Sequence, residues 1–138
     1  MTALVWDASA AVKLVIDEPG SVRARATLRE SPRNCALDWT AVEVASALWK
    51  RSVRTGTTEQ DALLALDTFR QLDLEIHDAE QLTPSALLLA VRHGHPVYDC
   101  AYVALALAED AAIVTADARL RSLAESLGID VVSLEAGR

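Results

Sequence analysis

The chain has 138 residues, 51% of them hydrophobic but only 4% aromatic, and a formal net charge of −7. One domain over residues 1–138 is expected, with a core built mainly from Ala, Val, Leu and Ile and no need of disulfides. Neither a signal peptide nor the ~20-residue apolar run of a membrane span is legible, so a cytoplasmic protein without membrane contact is expected, and the acidic balance opposes nucleic-acid binding unless divalent cations are recruited.

Short apolar runs alternate with helical patterns along the chain. Leu4–Trp6 reads as a buried strand, and Ala8, Ala11, Val12 and Val15 follow at helical spacing until Pro19-Gly20 stops them. Residues 21–30 read as a charged helix and Cys35–Leu37 as a second strand. Cys35 and Cys100 show neither CxxC nor zinc-ligand spacing and are expected as buried free thiols. A helix from about Ala41 to Arg54 opens on Thr40 and Glu43, an S/T-x-x-E capping box, and closes before Gly56. Its apolar stripe is Ala41, Ala45, Leu48 and Trp49, with Glu43 on the opposite face. Thr58 and Asp61 open a further helix to about Gln71, and Leu74–Ile76 is a weak strand. Thr83-Pro84 gives an N-cap with proline at the first helical position, and Gly94 ends that helix. Residues 98–109 form the most apolar helix, 112–114 a strand, 117–127 a helix and Val131–Val132 a last strand. This alternation predicts an α/β fold, a three-layer α/β/α sandwich with a mainly parallel sheet of about five short strands. In such folds the functional groups gather beyond the carboxyl ends of the strands.

Four acids belong to that edge. Asp7 and Asp117 each follow a strand, whereas Glu43 and Asp99 each open a helix. Each has a structural alternative: an N-cap for Asp7 and Asp117, the capping box for Glu43, and the helix dipole for Asp99. Asp99 carries the strongest individual signal, because it is the only charged residue from Tyr98 to Ala108 and a carboxylate on so apolar a helix needs a partner. Taken jointly, four acids directed to one edge repel, and the arrangement fits a hard, oxygen-seeking cation such as Mg²⁺ or Mn²⁺. Ser9 lies where its hydroxyl would steady Asp7.

The segments Val-Trp-Asp7-Ala-Ser9-Ala, Val-Glu43-Val-Ala-Ser-Ala-Leu, Val-Tyr-Asp99-Cys-Ala-Tyr-Val-Ala-Leu-Ala and Thr115-Ala-Asp117-Ala-Arg119-Leu, in this order, resemble the PIN-domain family and, within it, the VapC-like toxins of toxin–antitoxin pairs. No single segment is specific; the ordered set is. The resemblance implies a Mg²⁺- or Mn²⁺-dependent endoribonuclease with Asp7, Glu43, Asp99 and Asp117 as catalytic acids. Asp7, Asp99 and Asp117 would be the metal ligands, and Ser9 and Thr115 supporting hydroxyls. It further implies an RNA substrate, a cognate VapB-like antitoxin, a homodimer, and contact with DNA only through the antitoxin. Position 46 is Ser where many relatives carry Asn.

In this reading, metal-activated water cleaves the phosphodiester and leaves 5′-phosphate and 3′-hydroxyl ends. Lys13, Lys50, Arg51, Arg54 and Arg119 are candidates to hold the RNA backbone, against the alternative of ordinary surface bases. Alternatives inside the family are an RNA-processing nuclease outside a toxin–antitoxin pair and a catalytically silent binding module. A phospho-acceptor receiver domain is disfavoured by the single Asp after strand one and by the absence of lysine beyond Lys50. An aspartyl phosphatase is disfavoured by Ser9, where a second acid is wanted.

Overall fold

The computed structural model describes residues 3–134. Five short strands form one sheet: β1 (Leu4–Trp6), β2 (Asn34–Leu37), β3 (Glu75–His77), β4 (Ala112–Val114) and β5 (Val131–Val132). Their order is β3-β2-β1-β4-β5 and every neighbouring pair is parallel. The chain therefore starts at the sheet centre and builds first one half, then the other. The connections are α1 (Ala8–Ala11) with a 3₁₀ turn at Val12–Leu14, α2 (Ser21–Glu30), α3 (Thr40–Thr55), α4 (Glu59–Arg70), α5 (Ala79–His93), α6 (Val97–Glu109) and α7 (Ala118–Ser126).

Alternation along β1 sorts the two faces. Val5, with Cys35, Leu37 and Ile113, packs under α5, α6 and α7. Leu4 and Trp6, with Ala112 and Val114, pack under α1 and α2. The helical pair α3–α4 then closes on α1 through Val44, Leu48, Ala65 and Phe69. The three layers are those expected from the alternating pattern. The small residues of α6, Ala101, Ala104 and Ala106, are nearly inaccessible and let that helix lie close on the sheet. Trp6 keeps its indole N–H satisfied by donating to Asn34 Oδ1 at 2.9 Å. Both cysteines are free and buried, as expected.

Three local expectations need correction. The capping box at Thr40 does not form: Trp39 is the N-cap of α3, and the fully buried Thr40 hydroxyl accepts the Leu37 N–H at 3.0 Å. Tertiary partners have claimed that side chain. The buried stripe of α3 is Thr40, Val44 and Leu48, while Trp49 is 63% exposed. Finally, α5 begins at Ala79, one turn before Thr83-Pro84, because Asp78 caps it by accepting the Glu80 N–H at 2.9 Å. Pro84 then sits inside the helix, and Thr83 Oγ1 donates to the Ala79 carbonyl at 3.1 Å.

Gly20 sits in the left-handed region at φ +95°, where a Cβ would stand 2.9 Å from the Leu134 carbonyl oxygen. Nearby, Arg23 Nε donates to the Ser133 carbonyl at 2.6 Å. The start of α2 is thus fastened to the segment after β5, and Leu134 is buried against Leu4 and Trp6. Among the described residues no helix is long and apolar enough to cross a membrane.

Candidate active site

Because β1 and β4 are neighbours, residues 7 and 115–117 meet across more than a hundred positions of sequence. Asp7 leaves the end of β1 and is almost fully buried. Its Oδ1 accepts the Ala10 N–H at 3.0 Å, capping α1, and Ser9 Oγ at 2.8 Å. Its Oδ2 accepts Thr115 Oγ1 at 2.6 Å. Thr115 Oγ1 in turn accepts the Asp117 N–H at 3.0 Å, and Ser9 Oγ accepts the Ala116 N–H at 2.9 Å. The two hydroxyls therefore stitch the carboxyl ends of β1 and β4 together around one carboxylate. Asp117 caps α7, with Arg119 N–H donating to its Oδ1 at 2.8 Å. The capping reading of Asp7 and Asp117 thus holds, and in each case the cap occupies mainly one oxygen.

Asp99, in the first turn of α6, has Oδ2 3.1 Å from His95 Nε2. Glu43, in the first turn of α3, accepts from the Tyr102 hydroxyl. Since the one phenolic proton goes to Glu43, Thr40 Oγ1 is left to donate to the Tyr102 oxygen, 2.9 Å away. A relay of donors runs from Leu37 N–H through Thr40 and Tyr102 to Glu43. Beside Asp99, the exposed Tyr98 ring leans on Trp39, with centroids 5.2 Å apart at 53°.

The electrostatics link the acids in a row. Burial raises the Asp7 carboxyl from its ordinary 3.8 to about 6, against the opposing hydrogen bonds of Thr115, Ser9 and Ala10; the charge of Asp117 raises it further. Burial also raises Asp99, with Asp117 adding to the effect and His95 opposing it. Glu43 is raised by burial, opposed by Tyr102 and reinforced by Asp99. Tyr102 itself is held far above the usual phenol range by burial and by Glu43. Four carboxylates sharing one field, three of them held above their ordinary values, make a site that a cation relieves.

The donor set is all oxygen, which fits a hard divalent ion. The spacing is open. Among the described residues, the only His, Cys, Asp or Glu trio with ligand atoms all within 4.8 Å of one another is Cys35, Glu75 and His77, on β2 and β3. No three of Asp7, Glu43, Asp99 and Asp117 bring their carboxylate oxygens that close together, so an ion among them would need water to complete its shell.

The basic candidates separate. Lys13 is not available: it is 15% exposed, paired with Glu18 at 2.9 Å and donating to the Pro19 carbonyl at 2.8 Å. Arg51 is partly engaged, 3.6 Å from Glu18 and donating to the Asp17 carbonyl at 3.3 Å. Exposed Lys50 and Arg54 line, with Trp49, a groove of about 580 Å³ beside α3 that none of the four acids borders. Arg119 is exposed and close enough to Asp99 to lower its carboxyl slightly. Ser46 is exposed on α3, one turn after Glu43. His95, Tyr102, Thr40 and Tyr98 belong to the site but are not found from sequence. A signal existed for Tyr102, since a phenol one turn after Asp99 on a buried helix must find a polar partner. His95 precedes its helix, and nothing in the spacing marks it.

The sequence matches the PIN domain family over residues 4–126. It is 35% identical to Ribonuclease VapC3 of Pyrobaculum aerophilum over 85% of this chain and 91% of that protein. The crystal structure of PAE2754 from Pyrobaculum aerophilum superposes with a TM-score of 0.70 at 22% identity, covering 95% of this chain and 84% of that one. A toxin–antitoxin complex from Klebsiella pneumoniae gives 0.65 at 20% identity, over 96% of this chain and 99% of that one. These last two similarities concern the fold.

Proposed function

The chain belongs to the PIN-domain family, in its VapC-like branch, and from that premise we propose that it is a Mg²⁺- or Mn²⁺-dependent endoribonuclease, the toxin of a toxin–antitoxin pair. The observation that carries this reading is the junction of β1 and β4. There a buried carboxylate, Asp7, is fixed by Thr115 and Ser9, and the charge of Asp117 acts on both Asp7 and Asp99.

Asp7, Asp99 and Asp117 are the residues that would hold the ion. When bound, the ion supplies hydroxide near neutral pH and neutralises charge developing on the phosphoryl oxygens. Ser9 and Thr115 hold the Asp7 oxygens in one orientation, so that no reorganisation is needed as charge shifts. Glu43, half-buried and raised above its ordinary value, orients the attacking water and takes its proton. Tyr102 keeps the Glu43 carboxylate aimed. Arg119 receives the scissile phosphate, and Lys50 and Arg54 carry the strand onward along α3. The exposed Tyr98 ring, beside Asp99, offers a face for a neighbouring base.

Protein partners occupy other surfaces. The apolar groove of about 360 Å³ between α3 and α4, lined in part by Leu48, Trp49, Leu63 and Leu66, takes an apolar segment of the antitoxin. The exposed Leu87, Leu88 and Val91 of α5 serve self-association. Inducible expression with mapping of RNA ends, beside an Asp7→Asn variant, tests the activity. Cleavage giving 5′-phosphate ends in the wild type alone is expected. A cyclic phosphate product, or equal cleavage by the variant, overturns the mechanism.

A further inference from the structure

Outside the acidic centre, one constellation combines sulfur, nitrogen and oxygen. β2 and β3 pair in register with Cys35 opposite Glu75 and Leu37 opposite His77. Alternation puts Glu75 and His77, two residues apart, on one face of β3, the same face to which Cys35 points. The thiol of Cys35, a carboxylate oxygen of Glu75 and a ring nitrogen of His77 all lie within 4.8 Å of one another. Cys35 is inaccessible and unpaired by any disulfide. His77 Nε2 is itself buried, and its neighbour is Glu75 Oε1 at 3.3 Å, longer than a good hydrogen bond.

We propose that Cys35, Glu75 and His77 form a second metal site, specific for a thiolate-seeking transition ion of the zinc class. The ligand chemistry separates it from the all-oxygen centre. Thiolate, imidazole and a single carboxylate select Zn²⁺, whereas carboxylates alone suit Mg²⁺ and Mn²⁺. Three protein ligands leave a fourth position for water, which enters from the edge of the sheet, where the Glu75 and His77 side chains are 44% and 26% exposed. The surrounding charge favours the ion. Arg33 bridges Glu75 and Glu109 at 2.7 Å each, so the three groups carry one net negative charge. The thiolate adds a second, and a divalent cation balances both. Arg33 grips both Glu75 oxygens, Nε on Oε2 and Nη2 on Oε1 at 2.7 Å each, and Oε1 also faces His77 Nε2 at 3.3 Å, so its second lone pair is the one directed to the metal. This is the second-sphere support that metal-binding carboxylates usually have. On binding, the thiol proton passes to solvent and the sulfur–metal bond forms, with no change of oxidation state.

Cobalt(II) is the probe, because a thiolate-to-cobalt charge-transfer absorption arises only where sulfur is a ligand and the acidic centre has none. The full chain, stripped with EDTA and dialysed, is titrated with Co²⁺ and then with Zn²⁺. A charge-transfer band saturating at one ion per chain and displaced by Zn²⁺ is expected. It should vanish in Cys35→Ser and require at least about tenfold more Co²⁺ in His77→Gln. It should persist in Cys100→Ser and in Asp7→Asn. Since Cys35 is in the core, His77→Gln at the sheet edge carries the test if Cys35→Ser does not fold. No band in the wild type at tenfold excess Co²⁺, or a band unchanged in His77→Gln, overturns the proposal.

Discussion

Replacing Asp7 by Asn should make the metal-free protein more stable at neutral pH. Burial holds the Asp7 carboxyl at about 6 in the folded chain, against an ordinary value of 3.8. The folded state therefore binds the Asp7 proton more tightly than the unfolded chain does, and stability falls as pH rises through the window from about 4 to 6. At about 1.4 kcal/mol per tenfold change in ionisation, the ionised Asp7 costs about 3 kcal/mol above that window. Asn keeps an oxygen for the Ala10 N–H but loses an acceptor for Thr115 or Ser9, a loss of about 1 kcal/mol. In EDTA at pH 7.5 the variant should lead by about 2 kcal/mol, or roughly 8 °C in Tm for a domain of this size. At pH 4.5, where the native carboxyl is largely protonated, the two proteins should melt close together. Mn²⁺ should raise the wild-type Tm and leave the variant behind. Thermal melts followed by circular dichroism at both pH values, with and without Mn²⁺, make the comparison. A variant destabilised equally at pH 4.5 and 7.5 would refute the view that Asp7 is an ionised group held at a cost.

Tyr102→Phe strands both Thr40 and Glu43, so a stability loss of about 1–3 kcal/mol is expected. Glu43, already raised by burial, then loses the hydrogen bond that opposes the rise, so the acid limb of the cleavage pH profile should move to higher pH. Tyr98→Ala should weaken RNA binding by about 1–3 kcal/mol while Tyr98→Phe spares it, as measured by fluorescence anisotropy. Lys50→Ala and Arg54→Ala should each flatten the slope of log K against log salt by about 0.7 on single-stranded RNA. Lys13→Ala should leave that slope unchanged and lower the Tm, because this ammonium is tied to Glu18 and Pro19 inside the fold.

The layers and the parallel sheet were legible because hydrophobic periodicity is written locally, and parallel pairing follows once strands and helices alternate; the order β3-β2-β1-β4-β5 was not. The acids were legible only as a set, since Asp7 and Asp117 also serve as caps and their capping geometry is real. What sequence misjudged was tertiary capture of local signals. Thr40 looks like a cap, but its hydroxyl is drawn inward by Leu37 and Tyr102. Thr83-Pro84 looks like a helix start, but Asp78 caps one turn earlier. Cys35, Glu75 and His77 were invisible as a group, because strand register, not spacing along the chain, brings them together.

The sheet order has a consequence for synthesis. β1 is made first yet lies between β2 and β4, and Leu4 and Trp6 are sealed only when Leu134 arrives. Asp7 precedes Thr115, which donates to its Oδ2, by 108 positions. A chain that stops short of β4 therefore holds Asp7, Glu43 and Asp99 without Thr115 and Asp117. The contact that orients the Asp7 carboxylate cannot close until β4 has paired with β1, so this corner of the fold cannot be completed early.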